Sequence, residues 1–198
     1  MYNKILVKEN NNTMNNKFNR FKREYYLVDA LELAKKLLGK ILVFKNRRYR
    51  IVEVEAYRGV NDKGAHTYNN RRTKRTEAMY LEGGHVYIYM IYGMYYNLNI
   101  VANLEDIPQG VLIRGIEPLD YTEVKPSLNG PGKLCRELGI DKTYYGLDLT
   151  KSDEMFIIDD DYEFEIVESK RVNIDYAEED KDRLWRFYIK DNKYVSKK

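Results

Sequence analysis

A short segment with two acidic residues provides the first candidate for catalysis. Residues 50–57 read RIVEVEAY. Alternate side chains of a strand share a face, so Glu53, Glu55 and Tyr57 are predicted to project from one side of an otherwise apolar strand. Carboxylates held this way can act as general acids or bases. The segment leads directly into a glycine-containing loop and His66. An outer strand face with solvated carboxylates is the commoner meaning of such a pattern, and this context counts against it.

Tyrosine is unusually frequent, at 19 of 198 residues. A tyrosine surplus suits surfaces that stack on rings, although compositional drift in an Asn/Lys/Tyr-rich proteome would also produce it. In the run HVYIYMIY, residues 85–92, Tyr87 and Tyr89 share one face, a pattern that is also common in a packed core. Tyr92 and Gly93 fall at the predicted turn after this run. An exposed ring at a hairpin tip can be inserted between base pairs of a duplex.

Two further segments have residues that suit phosphate groups. Residues 69–76 read NNRRTKRT, with four cations in five positions beside small polar donors. Such a cluster suits a phosphate backbone, although a solvated charge run is its commoner meaning. Residues 129–135 read NGPGKLC, where glycines expose backbone N–H groups and Lys133 adds a charge at a predicted helix start. The P-loop pattern is incomplete, so nucleoside triphosphate binding is not predicted.

The elements that must position these residues are short strands and helices. Asp29 is suited to cap an amphipathic helix, ALELAKKL, that Gly39 would end. Alternating apolar runs then predict strands, and they read KILVFK, RYRIVEVEAY, HVYIYMIY, YYNLNIV and QGVLIRGIEPL. The chain length and its 43% hydrophobic content are enough for one core. We therefore predict an α+β fold in a single domain, with a mainly antiparallel sheet and helices at its margins.

Charge is distributed unevenly along the chain. Residues 1–22 are rich in Asn and Lys without an apolar period, and we predict a disordered basic tail there, followed by a folded domain over 23–198. Residues 1–23 have six cations and one anion, so the net charge of +3 leaves −2 on the rest. Overall charge is therefore weak support for a polyanionic partner.

Composition also bears on metals, membranes and location. The single cysteine, Cys135, excludes an intrachain disulfide and a cysteine-rich zinc site, and two histidines argue against a multi-histidine metal centre. Residues 83–104 lack Asp, Glu, Lys and Arg, but their alternation around Gly93 favours two strands over a membrane span. The opening residues do not resemble a secretory signal. We expect a cytoplasmic protein without metal, cofactor or membrane partner.

Four motifs together resemble one known family. The strings VEVEAYRGVNDKGAH, VYIYMIYGMYYNLNI, GVLIRGIEPL and NGPGKLCRELGI, in this order, are similar to the alkyladenine (3-methyladenine) DNA glycosylase family. The resemblance runs from about Tyr25 to Phe187. It implies a curved, partial-barrel sheet like the C-terminal domain of methionyl-tRNA formyltransferases, in a monomer that binds double-stranded DNA.

The resemblance also implies an activity. Members of this family flip a damaged purine, such as 3-methyladenine, 7-methylguanine or hypoxanthine, out of duplex DNA and hydrolyse its N-glycosidic bond, which initiates base excision repair. Glu55 matches the water-activating acid, and a carboxylate there would also offset positive charge on the sugar. Arg114 matches an arginine near the attacking water, whereas Glu53 has no matching role. The enzyme is expected to be monofunctional, because no catalytic lysine is positioned by the motifs.

Binding roles follow from the same resemblance. The rings of Tyr57, His66 and Tyr89 would sandwich the flipped base and favour a cationic purine by cation–π attraction. Asn99 would screen the exocyclic amine of guanine, and Tyr92 would fill the gap left by the flipped nucleotide. The residues implied to hold DNA phosphates are Arg71, Thr73, Arg75 and Lys133.

A non-catalytic nucleic-acid-binding module is the competing hypothesis, since the related barrel of the formyltransferases binds RNA without cutting a glycosidic bond. A module that only binds does not need a carboxylate aimed into an aromatic pocket. The sequence of Glu55, Tyr57 and His66 therefore favours an enzyme.

Overall fold

One antiparallel sheet organises the computed structural model, which describes residues 19–120, 126–159 and 161–197. Its strands run in the order β3-β4-β5-β2-β1-β6. Strand β8 pairs with residues 53–55 of β2, after the part of β2 that pairs with β1, and β7 pairs with β8. The sheet is curled into a half-barrel. The strands are β1 (Ile41–Phe44), β2 (Arg47–Tyr57), β3 (Val86–Ile91), β4 (Tyr95–Ala102), β5 (Gln109–Pro118), β6 (Met155–Ile158), β7 (Ile166–Ser169) and β8 (Arg186–Ile189).

Two α-helices lie within the described ranges. Helix α1 (Ala30–Leu37) begins where the Asp29 carboxylate accepts a hydrogen bond from the Leu31 amide at 2.9 Å, and Gly39 follows its end at φ 82°, as predicted. Helix α2 (Pro131–Leu138) packs on β4 and β5. Short 3₁₀ segments lie at Arg23–Tyr25, Gly59–Asn61, Tyr68–Asn70, Glu77–Tyr80, Pro126–Leu128, Lys142–Tyr144 and Asp175–Asp182.

The main core forms where the helices cover one face of the sheet. Leu33 and Leu37 of α1 pack in one buried cluster with Val54 of β2 and Ile113 of β5. The α+β fold in a single domain and the antiparallel sheet are confirmed, but the helices pack on central strands rather than at the margins of the sheet. One detail differs: strict alternation places Ile51 on the face of the two acids, yet Ile51 lies in this core. Irregular pairing of β2 with β5 at residues 51–54 breaks the alternation there.

The folded body begins before the predicted boundary at residue 23. The Phe21 amide donates to the Ile157 carbonyl at 3.1 Å, and the Phe21 ring stacks on Tyr25 with centroids 3.7 Å apart. The remainder of the predicted tail, residues 1–18, lies outside the described residues. In the part of the chain that the structure describes, no helix is long and apolar enough to cross a membrane.

Candidate active site and nucleic-acid interface

The pairing of four neighbouring strands brings predicted site residues into one row. Glu55 of β2 pairs with Leu112 of β5, which pairs with Asn99 of β4, which pairs with Tyr87 of β3. Side chains at directly paired positions share a face of the sheet. Residues that are far apart in sequence are therefore neighbours on the face opposite Val54 and the main core.

Glu55 is fully buried, and it is held by two hydrogen bonds and one ion pair. Its Oε2 accepts a hydrogen bond from the Tyr57 hydroxyl at 2.9 Å, and its Oε1 accepts one from the Val172 amide at 2.7 Å. Arg114 Nη1 lies 3.3 Å from the same Oε1. The alternative of solvated carboxylates on an outer strand face is therefore wrong. Donors to both oxygens fix the orientation of a group that could accept a proton.

Glu53 is equally buried and belongs to an adjoining ion-pair network. Its Oε1 accepts from Arg114 Nε at 3.1 Å and from Arg186 Nη1 at 2.7 Å. Ser196 donates to it as well, through both its amide and its hydroxyl. Two carboxylates and two guanidinium groups thus balance one another in charge, which limits the cost of burying them.

A pocket lies beside Glu55, and it contains the base-binding residues that the resemblance implies. Tyr57, His66, Tyr89 and Asn99 all line it. The His66 and Tyr89 rings meet edge to face with centroids 4.4 Å apart. The further lining residues are Gly64, Ala65, Met79, Tyr87, Gly110 and Tyr176. The walls are thus mainly aromatic, with a few polar groups.

Burial keeps the ionisable groups of this pocket uncharged. Burial, followed by the nearby Arg75 and Arg71 guanidinium groups, lowers the pKa of His66 from 6.5 to about 4. Burial also raises the pKa of Tyr89 to about 12, and burial together with the charge of Glu55 raises the pKa of Tyr57 well above 10. At neutral pH these three rings are therefore neutral. A cationic ligand entering the pocket would not meet a positive histidine.

Asn99 is fixed within the sheet. Its Nδ2 donates to the Tyr87 carbonyl at 3.2 Å, and β4 is paired on both sides at this residue. The side chain therefore does not cap a sheet edge. It forms part of the pocket wall in one defined position.

The tip of the β3–β4 hairpin is exposed to solvent. Tyr92 has φ 52° and is 79% exposed, and Gly93 follows with φ 68°. Two successive positive φ values are typical of the tight type I′ hairpin turn. Met90 and Met94 beside it are exposed too. The tip thus presents apolar side chains to solvent, as its turn position predicts.

The predicted phosphate-binding residues have different surroundings. Arg71 borders an open groove next to His66, and the Arg75 guanidinium lies 5.4 Å from the Tyr89 ring centroid. The Thr73 hydroxyl lies 3.2 Å from that of Thr76 in a local turn. Lys133 is exposed in the first turn of α2, where its Nζ donates to Asn129 at 3.2 Å. Arg71 and Arg75 are thus close to the pocket, whereas Lys133 lies on a separate element.

Arg72 differs from its neighbours in the basic run. It pairs with Glu77 and with Asp106, each at 2.7 Å, and stacks over Tyr80. The positive charge of Arg72 is therefore paired with carboxylates of the protein itself.

Sequence reasoning missed the contributions of residues 170–197. The Val172 amide orients Glu55, and the Tyr176 ring lines the pocket although 66% of that residue is exposed. Arg171 forms a fully buried ion pair with Asp62 and lies 4.7 Å from the Tyr57 ring centroid. In the sequence, only the abundance of tyrosine pointed to Tyr176. The role of the Val172 backbone amide has no signal in the sequence, because every residue type except proline has such an amide. Within the described ranges, no group of three or more His, Cys, Asp or Glu side chains could hold a metal ion.

Comparisons with known proteins agree with this geometry. Residues 24–193 match the sequence model of the methylpurine-DNA glycosylase family. A relative from Clostridium novyi is 54% identical over 200 aligned residues, which cover 90% of this chain and 99% of the relative. One from Clostridium acetobutylicum is 52% identical and covers 88% and 96%, and one from Borrelia garinii is 50% identical and covers 89% and 99%. All three bear the provisional name 3-methyladenine DNA glycosylase.

The fold and the matched length define a DNA glycosylase, a hydrolase of DNA repair. The chain belongs to the methylpurine-DNA glycosylase family. The resemblance of the four motifs is thereby confirmed.

Proposed function

We propose that this chain is a monofunctional 3-methyladenine DNA glycosylase that flips alkylated or deaminated purines out of duplex DNA and hydrolyses their N-glycosidic bond. Family membership and the names of the relatives support the general activity. One observation carries the catalytic assignment: Glu55 is fully buried, oriented by two hydrogen bonds and an ion pair with Arg114, and adjacent to a neutral aromatic pocket. We propose 7-methylguanine and hypoxanthine as further substrates of the same site.

In the proposed reaction, Glu55 accepts a proton from water as the water oxygen bonds to C1′ of the sugar. The bond between C1′ and the base breaks, and its electron pair leaves with the base. The carboxylate also stabilises the positive charge that develops on the sugar. Arg114, 3.3 Å from Glu55, holds the carboxylate and the water in place. The products are a free base and an abasic site in an uncut strand.

The pocket would select the base by ring stacking and by shape. Tyr57, His66 and Tyr89 would contact the flipped purine, and attraction of a cationic purine to each ring is worth ~0.5–2 kcal/mol. The neutral state of His66 supports this role, because a charged imidazole would repel such a base. Asn99, fixed by its bond to the Tyr87 carbonyl, would exclude the 2-amino group of guanine.

Capture of the duplex would use the hairpin and the nearby cations. The exposed Tyr92 ring would occupy the stack that the flipped nucleotide leaves. The residues proposed to contact phosphates are Arg71, Thr73, Arg75 and Lys133. The Thr73 hydroxyl would do so while it also forms a hydrogen bond with the Thr76 hydroxyl. We propose that the enzyme acts as a monomer.

A base-release assay tests this function. Duplexes with a single 3-methyladenine, 7-methylguanine or hypoxanthine, and an undamaged duplex, are incubated with the protein, and the released base is measured by chromatography. We expect release from at least the 3-methyladenine duplex, and strand breakage only after alkali. Tight duplex binding without base release would support the non-catalytic binding module instead. Strand cleavage without alkali would refute the monofunctional mechanism.

A further inference from the structure

We propose that Glu53 and Ser196 are positioning residues that hold the Arg114 guanidinium against Glu55. This inference rests on the proposed function and assigns a role to a carboxylate for which the family motif implies none. It also makes a residue from a distant part of the chain a component of the catalytic site.

Each nitrogen of the Arg114 guanidinium has its own partner. Nε donates to Glu53 at 3.1 Å, Nη2 donates to the Ser196 hydroxyl at 3.1 Å, and Nη1 lies 3.3 Å from Glu55 Oε1. A guanidinium group is planar and its donors are fixed relative to one another. Two hydrogen bonds on one edge of the plane therefore determine where the third nitrogen points. Here they direct Nη1 at the proposed general base.

Ser196 and Glu53 also hold each other. The Ser196 hydroxyl donates to Glu53 Oε1 at 2.9 Å, and its amide donates to Oε2 at 2.5 Å. Arg186 adds a charge-assisted bond to Oε1 at 2.7 Å. Bonds to ionised groups are the stronger class of hydrogen bond, so this arrangement is well restrained. Glu53 cannot rotate away from Arg114 without breaking several of them.

A glycine makes room for the segment that carries Ser196. A Cβ atom at Gly115 would lie 2.5 Å from the Tyr194 carbonyl oxygen and 3.3 Å from Glu53 Cβ. Gly115 pairs with Glu53 across β5 and β2, one residue beyond Arg114. The absence of a side chain thus lets residues 194–196 cross the sheet directly beside the two site residues. The close approach explains how residues 194–196 reach a buried carboxylate.

Substitution of Ser196 tests the role with little risk to the fold, because Ser196 is partly exposed. Ser196→Ala removes the hydroxyl bonds to Glu53 and Arg114 but keeps the amide bond. We expect the single-turnover rate of base release from duplex DNA methylated at adenine N3 and guanine N7 to fall about tenfold. Affinity for that duplex should stay within about twofold. Ser196→Thr keeps a hydroxyl and should restore most of the rate.

Two further variants separate positioning from stability. Glu53→Gln keeps the side-chain shape but removes the charge, and we expect a larger rate loss than for Ser196→Ala together with a lower Tm. Asp148→Asn is the matched control, because it breaks the ion pair with Arg23 in a separate network. It should lower the Tm without changing the rate of the folded enzyme.

The outcomes distinguish this inference from the proposed function. An active wild type with an equally active Ser196→Ala variant refutes the positioning role and leaves the glycosylase assignment intact. A rate loss in Ser196→Thr equal to that in Ser196→Ala also refutes it, since the hydroxyl would then be irrelevant. A wild type without base release refutes both proposals.

Discussion

Replacement of Glu55 by Gln tests the proposed mechanism most directly. The change keeps the side-chain shape, and the amide oxygen can still accept from the Val172 amide, as Oε1 does now, while Arg114 Nη1 lies 3.3 Å away. The new NH₂ group would face the Tyr57 hydroxyl, which can turn to accept a hydrogen bond. The fold should therefore survive. What is lost is the basicity and the negative charge beside the sugar.

The expected size of the effect follows from the role. General-base catalysis contributes about 10²–10⁴-fold, which corresponds to roughly 2.7–5.5 kcal/mol in activation free energy. The buried network also changes from neutral to a net positive charge, because Glu53, Arg114 and Arg186 remain. Affinity for anionic duplex DNA should then be no weaker than in the wild type.

Single-turnover base release with enzyme in excess measures the chemical step, and a binding titration on the same duplex measures affinity. Glu117→Gln provides the control, since that carboxylate lies on β5 and bonds to Asn192 rather than to the site. We expect base release to be lost only in Glu55→Gln. A folded Glu55→Gln variant with the wild-type rate would refute the assignment of Glu55 as the base.

Three further predictions concern the hairpin, the pocket wall and pH. Tyr92→Ala should weaken lesion-duplex binding and base release about 10- to 100-fold, because unstacking costs a few kcal/mol; Tyr92→Phe should behave like wild type, and equal activity of both variants would exclude the wedge role. Asn99→Ser should raise guanine release from undamaged duplex, measured by chromatography, with little change for 3-methyladenine; unchanged guanine release would exclude the steric filter. Because the pKa of His66 is about 4 folded and 6.5 unfolded, protons favour the unfolded state. The contribution of His66 to the free energy of unfolding should therefore fall by about 3 kcal/mol between pH 8 and pH 4, and urea titrations of His66→Asn should lack this component.

Local patterns in the sequence identified much of the fold. The five alternating runs became β1–β5, and the capping residue Asp29 begins α1. Period-two alternation also placed Glu55 and Tyr57 on one face, where they form a hydrogen bond. These features depend on neighbours a few residues apart, so a linear reading can detect them.

Other features depend on contacts between residues that are far apart in sequence, which local patterns cannot predict. The irregular pairing that turns Ile51 into the core is set by the register of β2 against β5. The sequence assigned no role to Glu53, because its partners Arg186 and Ser196 are more than 130 residues away in sequence. The strands β6–β8, each four residues long, were not among the predicted strands. The motif resemblance, not periodicity, pointed to His66, Tyr89 and Asn99 as neighbours in one pocket.

The contact between Glu53 and Ser196, 143 residues apart, has a consequence for synthesis of the protein on the ribosome. At about 5–20 residues per second, roughly 7–30 seconds separate the translation of these two residues. The Val172 amide that orients Glu55 also emerges 117 residues after it. During that interval a nascent chain already contains the carboxylates and most pocket rings, but not the groups that align them. A ribosome-bound fragment that stops before residue 172 should therefore be inert toward DNA, and activity should emerge late in translation.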